Sequence, residues 1–358
     1  MNNTNKNFVD FISTATFEPD TCNEWFSQNG RDFVIYFSGY SWVKNRVHTE
    51  VNWLVFLLSN LKMSTSTRAF NIKHIQEIQS INYDFSEKTY SRIKELELRT
   101  NNTDIAVKTF VAEKLKKFGL ENIEGFMYSY LLLKDIDSMY IFQMVSSALK
   151  KVWHPKAKEL TTAITDITVK LPESKLAKLK RDPAFYTNSL LKHLEDITLI
   201  NDPTKSKDIY VSSEKISNAF SHHDSAKLTA FFIKISLELE FEPMYTQIDI
   251  WDYIYHVADG IRHFNSTVLA LCLDLQNYIN QEYILDTLKR DKHKVSLAIT
   301  LSNCIENLNI SSAILMNVSS KSPFDVIDYS LEANIGIAMV NSFNAIKNAT
   351  SVLNELKF

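Results

Sequence analysis

The stretch from Asp249 to Ile284 sets the tightest limit on what this chain can become. Its apolar residues Ile250, Ile254, Val257, Ile261, Phe264, Val268, Leu271, Leu275 and Tyr278 follow one another by four and three in alternation. That alternation buries one side of a helix along its whole length, as in a bundle or coiled coil. The stretch holds no proline and a single glycine, Gly260, so nothing in it obliges the helix to stop. A helix of that length runs for about 50 Å and needs partner helices of similar reach. Composition agrees: six glycines and seven prolines among 358 residues suit long helices with few sharp turns.

Other segments follow the same period. Helices are predicted over Gly39–Lys62, around Ile72–Ile81 and over Glu87–Leu98. A further one opens at Asp104 and closes at Gly119, a glycine placed for a C-cap. An apolar helix is predicted over Ile123–Val152, a bend at His154-Pro155, and a continuation over Lys156–Val169. Helices follow at Tyr186–Ile200, Ser225–Leu239, Lys294–Val318 and Asp325–Leu356. The expected fold class is all-α: a long-helix bundle over residues 106–358, with a smaller helical N-terminal domain over residues 1–105.

A formal net charge of −3 gives no electrostatic reason to expect nucleic acid or an anionic membrane as partner. No apolar run approaches a membrane span, and the N-terminus is polar and Asn-rich, unlike a secretion signal. Cys22, Cys272 and Cys304 have no metal-like spacing; two fall on apolar helical faces, which reads as reduced core thiols in a cytoplasmic protein. A second apolar line through Trp251, Ala258, Leu269 and Cys272 is expected to lie exposed on the long helix, so a homo-oligomer, dimer or tetramer, is expected to cover it. The histidines of His222-His223-Asp224 lack a third ligand, and a solvated turn is the simpler reading, so no metal and no cofactor are expected. His256 and His263, seven apart on the long helix, read as a polar stripe or an intersubunit contact.

Several segments carry a resemblance. Phe37-Ser38-Gly39-Tyr40 with Lys44, Arg46-Val47, Glu50-Val51 and Trp53-Leu54 resembles F-S-E-Y…K-x-R-V-x-x-E-V-x-W-L. Thr246-Gln247-Ile248-Asp249, Asp252-Tyr253-Ile254, Asp259 and Phe264-Asn265 resemble T-Q-I-E-P-H-D-Y-I…D…F-N. Glu97, Thr100-Asn101 and Ala106-Val107 match parts of E-R-T-T-N-H-D-V-K-A-V, and Glu332, Asn334 and Gly336 match S-E-G-N-x-G. These are motifs of the bacterial adenylosuccinate lyases, within the fumarase/aspartase superfamily, and the similarity runs in register over most of residues 31–350. The resemblance implies a helical bundle shared among subunits and a β-elimination that releases fumarate.

That chemistry needs a base, an acid and donors for the substrate carboxylates, and the resemblance locates where each would stand. The family's histidine falls on Asn102, its aspartate on Thr103 and its lysine on Ile105. Its T-S-E-D-I-N motif falls on residues 132–137, where Leu132 and Leu133 replace two hydroxyl donors. The T-H-G-Q-P-A-T-P motif would lie near Val169–Leu179, which holds no histidine. The serine loop would lie near Ile310–Pro323; Ser311 and Ser312 remain, without its glycine and its spacing of proline. The N-terminal Arg-Tyr is missing, and the family's C-terminal domain would lie beyond Phe358. Asn101 and Gln247 survive at positions that touch substrate in the family, although packing amides is their simpler role. The expectation is a catalytically degenerate homologue serving as a binding or scaffold protein, with Ser311, Ser312 and Asn102 as vestigial catalytic positions. The alternatives are a repurposed enzyme acting on another small molecule, and an accessory subunit paired with a true lyase.

Overall fold

The computed structural model describes residues 25, 26, 28–60, 72–128, 133–170, 180–200, 250–280, 291–319 and 329–356. Every regular element among them is helical. In chain order these are α1 (Val34–Phe37), α2 (Gly39–Asn60), α3 (Ile72–Tyr83), α4 (Glu87–Thr100) and α5 (Thr103–Lys117). Then come α6 (Leu133–Ala148), α7 (His154–Lys170), α8 (Pro183–Ile200), α9 (Ile250–Asn280), α10 (Asp291–Ser319) and α11 (Tyr329–Glu355). The helix expected at Ser225–Leu239 lies outside the described residues.

The long helix is α9, 31 residues, or about 46 Å at the α-helical rise. Its seam residues from Ile254 to Tyr278 are all buried. The cover comes from the chain itself: α9 packs between α8 and α10, α10 packs on α11, and α7 packs on both α11 and α8. The second apolar line, apart from Trp251, whose side chain lies outside the described residues, is covered too, contrary to expectation. Ala258 and Cys272 are buried and Leu269 packs against the same core, so that line gives no argument for a partner subunit. Cys272 and Cys304 meet inside this core as free thiols. The hydrogen bond to Cys304, with burial, pushes the Cys272 thiol well above its ordinary pKa. That is the reduced, unreactive state expected of core cysteines.

A second core is built from α2, α3, α4, α5 and the turn after it, centred on Val51, Leu54, Ile93, Val111, Leu115 and Ile123. Its helix ends follow the local chemistry of the sequence. Gly119 adopts φ +71°, the Leu120 N–H reaches the Leu115 carbonyl and the Gly119 N–H that of Lys116. This is a Schellman close, possible because glycine bears no Cβ in the left-handed region. Ion pairs join α2 to α5: Arg46 with Asp104, and Lys108 with Glu50 at 3.9 Å. Arg46 and Glu50, two residues of the resemblance, thus hold helices together.

The apolar run Ile123–Val152 is not one helix. A 3-10 segment occupies Glu121–Tyr128, and α6 begins at Leu133. Where a bend was expected at His154-Pro155, the helix passes through by a π turn over Leu149–Trp153, the His154 N–H reaching Leu149 O. Pro155 has no N–H to give and its ring would crowd the turn before it; widening that turn by one residue relieves both problems. At Gly336 a Cβ would stand 2.5 Å from the Phe37 ring and 2.7 Å from Phe26. Glycine there lets α11 touch the aromatic group that ties the first residues into the bundle.

No helix among the described residues is long and apolar enough to cross a membrane.

Candidate functional site

Asn101 and Asn102 form the corner between α4 and α5. Asn101 takes the left-handed conformation (φ 50°, ψ 32°) that ends α4, and its N–H bonds the Glu97 carbonyl at 2.7 Å. Asn tolerates that conformation better than most residues with a Cβ. Asn102 caps α5: its Oδ1 accepts from the Ile105 N–H at 3.0 Å, satisfying one of the free donors at a helix start. Thr100 Oγ1 donates to the corner's carbonyls and Thr103 to the Glu97 carboxylate, which also pairs with Lys94 at 2.7 Å. Asn101 through its backbone and Asn102 through its side chain thus serve to turn the chain.

Ser311 and Ser312 lie within the unbroken helix α10. Ser311 is fully buried, Ser312 partly. Ser311 belongs to a line of hydrogen bonds that crosses the bundle. Trp153 Nε1 donates to Ser342 Oγ at 3.0 Å, and Ser342 Oγ donates to Asn265 Oδ1 at 2.6 Å. Asn265 Nδ2 donates to Ser311 Oγ at 2.9 Å, and Ser311 Oγ donates to the Ala338 carbonyl at 2.8 Å. The line joins α9, α10, α11 and the π turn, and its three polar side chains besides the indole are all 0% exposed. Each donor has an acceptor, as burial requires. The Phe264 ring meets the Trp153 ring edge-on at 4.9 Å beside it. Of these residues only Asn265 and Ser311 carry a sequence signal, through the resemblance; Trp153 and Ser342 carry none.

A second polar group closes one end of α8. The buried Asp274 carboxylate accepts from the Tyr186 hydroxyl at 2.5 Å and from Arg181 Nη1 at 3.2 Å. The Lys180 N–H donates to the Tyr278 hydroxyl at 2.7 Å. Burial, then the bond to Asp274, pushes the Tyr186 hydroxyl far above the ordinary phenol range, so it stays a neutral donor. This group anchors the entry of α8 on α9.

The candidates among the described residues do not converge within one chain. Asn101 and Asn102 belong to helices of the N-terminal core, Ser311 and Ser312 to the bundle. Gln247, residues 171–179 and the His222-His223-Asp224 cluster lie outside the described residues, as do the side chains of residues 132–137. Among the described residues no group of three or more His, Cys, Asp or Glu side chains is placed to hold a metal ion.

No family model matches the chain. It is similar to adenylosuccinate lyase of Escherichia coli strain K12, 24% identical over 351 residues covering 90% of this chain and 75% of that enzyme. The Haemophilus influenzae enzyme is 26% identical over 333 residues, covering 85% and 71%. The Dictyostelium discoideum enzyme is 24% identical over 356 residues, covering 90% and 75%. Among solved structures, β-carboxy-cis,cis-muconate cycloisomerase from Acinetobacter calcoaceticus superposes with a TM-score of 0.63 at 11% identity, covering 92% of this chain and 77% of that one. A fumarate lyase from a Mesorhizobium species superposes with the same TM-score at 11% identity, covering 90% and 74%. With the register of the motifs and the long-helix bundle, these likenesses support a divergent lyase-like protein that shares the helical-bundle fold of those two solved structures.

Proposed function

We propose that this protein uses the lyase bundle as a binding or scaffold module and does not cleave adenylosuccinate. The observation that carries the reading is Asn102. At the position where the resemblance puts a histidine, this side chain is an amide whose oxygen caps α5. An amide neither takes nor gives a proton near neutral pH, so the position offers no acid or base. Ser311 supports the same reading, because its hydroxyl is spent inside the core. The Leu132-Leu133 pair and the absence of histidine from Val169–Leu179 add independent losses.

The protein is proposed to act in the cytoplasm as a homo-oligomer. In the resemblance, active sites are shared between subunits, which suits a chain whose candidate residues stay apart. Tyr255 and Leu273 on α9, and Val295, Ile299 and Met316 on α10, leave apolar surface exposed for such contacts. No cofactor is part of this reading. A repurposed enzyme is distinguished from it by a bound small molecule, and an accessory subunit by co-assembly with a separate lyase.

Purified protein incubated with adenylosuccinate should give no ultraviolet change from release of AMP and fumarate. Acid–base groups contribute factors of about 10² to 10⁴ and oxyanion donors about 10² to 10³, so losing several leaves nothing above background. Turnover on the order of one per second would place the protein within the usual enzyme range and refute the proposal. Asn102→His alone should restore nothing, because acid–base partners act as a unit.

A further inference from the structure

The two ends of α8 are held by different chemistry. The first turn is anchored by Asp274, Tyr186 and Arg181. The second half is held by apolar contacts and by histidines. Leu194 and Ile197 are buried, and Gly260 lets α9 approach so closely that a Cβ there would stand 2.8 Å from Ile197 Cγ1. On this half His193 stacks on His263 of α9, ring centroids 5.9 Å apart and planes within 17°. One turn on, Thr198 Oγ1 lies 3.2 Å from His154 Nε2 of α7. Both helices that flank α8 therefore meet it through an imidazole.

We propose that the second half of α8 is an acid-released clasp, docked while these imidazoles are neutral and lifted from α9 and α7 when they take up protons. His263 donates to Asp259, Nε2 to Oδ2 at 3.3 Å, and Asp259 also accepts from Arg262 at 2.5 Å. Burial acts to raise the Asp259 carboxyl, but the bonds and charges of Arg262 and His263 outweigh it and hold the group below its ordinary range. The carboxylate therefore stays charged through mild acid beside the stacked pair. Protons on both rings of the stack would set two like charges face to face. Partial burial and the facing His263 hold His193 below its ordinary pKa; Asp196 opposes this and Lys192 adds to it. On the α7 side, burial and then Lys158 hold His154 below its ordinary value. Thr198 donates to the Leu194 carbonyl at 2.7 Å, so His154 is the donor in their contact. Its protonation keeps that bond and places a charge in a half-buried site.

The sign follows from linkage. An imidazole disfavoured as a cation when docked has its pKa below the free value of about 6.5. Docking is then complete above that value and weakens as pH falls through the docked pKa values. The anchor at the first turn has no group that gains charge in this window: Tyr186 is pushed upward and Arg181 stays a cation. The release therefore runs from Ile200 back toward Leu190.

The test is hydrogen exchange of the whole protein, corrected for intrinsic rates, at about pH 7.5 and about pH 5.5, on either side of an imidazole's ordinary value. Peptides over residues 190–200 should lose protection relative to residues 253–279 of α9. Two unit charges at the stack distance repel by an amount worth roughly threefold in water and roughly a hundredfold at an interior-like dielectric. His263 is more than half exposed, which places the expected loss nearer the lower figure. His193→Gln should remove most of the loss and His193→Gln with His154→Gln all of it. Unchanged protection in the wild type, or an equal loss in the double variant, overturns the clasp. Histidine ring titration of the unmutated protein is a second arm independent of how the variants fold. His193 and His154 titrating at or above the free value overturns it as well.

Discussion

Removing the carboxamide of Asn265 should cost the protein about 2–3 kcal/mol, and the sum can be built from its neighbours. Asn265→Ala deletes two hydrogen bonds, at 2.9 Å to Ser311 and 2.6 Å from Ser342, in a place with no exposed surface. The two partners do not suffer equally. Ser311 keeps the Ala338 carbonyl as acceptor and loses only a donor to one lone pair. Ser342 loses the acceptor for its O–H while it still receives the Trp153 indole. It can turn to the carbonyl of Met339 three residues back in its own helix, as helical serines do. That escape puts the polar penalty near the low end of the roughly 1–3 kcal/mol for an orphaned buried group. The void left by the amide adds about 1–2 kcal/mol in a bundle that cannot close over it. Guanidinium unfolding followed by circular dichroism would measure the change as a shift of midpoint at constant slope. A cycle with Ser342→Ala sharpens the result, because once Ser342 is gone Asn265 has less to satisfy. The two changes should be non-additive by about 1 kcal/mol. A loss below about 0.5 kcal/mol for Asn265→Ala, the range of inert surface changes, would refute the claim that this line helps hold the four elements together. Additive effects would show that the two side chains act separately.

Two further outcomes are expected. Asn102→Ala should lower stability by about 1 kcal/mol through loss of the α5 cap, while Asn102→Ser, which also caps, should hold it; equal losses in the same denaturation assay would refute the capping role. Sedimentation velocity at about micromolar protein should give a dimer or tetramer, since burying exposed apolar side chains between copies favours association, and a lone monomer would remove the oligomer from the proposed function.

Asn102 and Ser311 mark how differently two candidate positions are held in place. One is kept by its short polar side chain at a helix start, a local need that serine, threonine or aspartate would also meet. The other is kept by a hydrogen bond to a residue 46 positions away. Neither use requires the reaction, so Ser311, although its letter matches the family's, is weak testimony to a matching activity.

Whatever depends on neighbours along the chain was legible in the sequence alone. The four-and-three spacing marked the face of α9 that is buried, Gly119 marked the close of α5, and the scarcity of glycine and proline marked long helices. These signals are local, since a helix's period and its caps are set within a few residues. Periodicity says which face is apolar and not what covers it. The line through Ala258 and Cys272 therefore read as a subunit contact, yet the chain's own core encloses it. Proline at 155 signalled a break, but whether the helix bends or widens into a π turn depends on what Trp153 packs against. The polar line across the bundle was the least legible of all. Trp153 and Ser342 stand 189 residues apart, Ser342 and Asn265 77 apart, and a serine or tryptophan looks the same in sequence whether solvent or a distant amide completes it. Only packing decides that: a buried polar group is admitted where its partner is delivered to it, and the delivery is made by helices that meet in space and not in sequence.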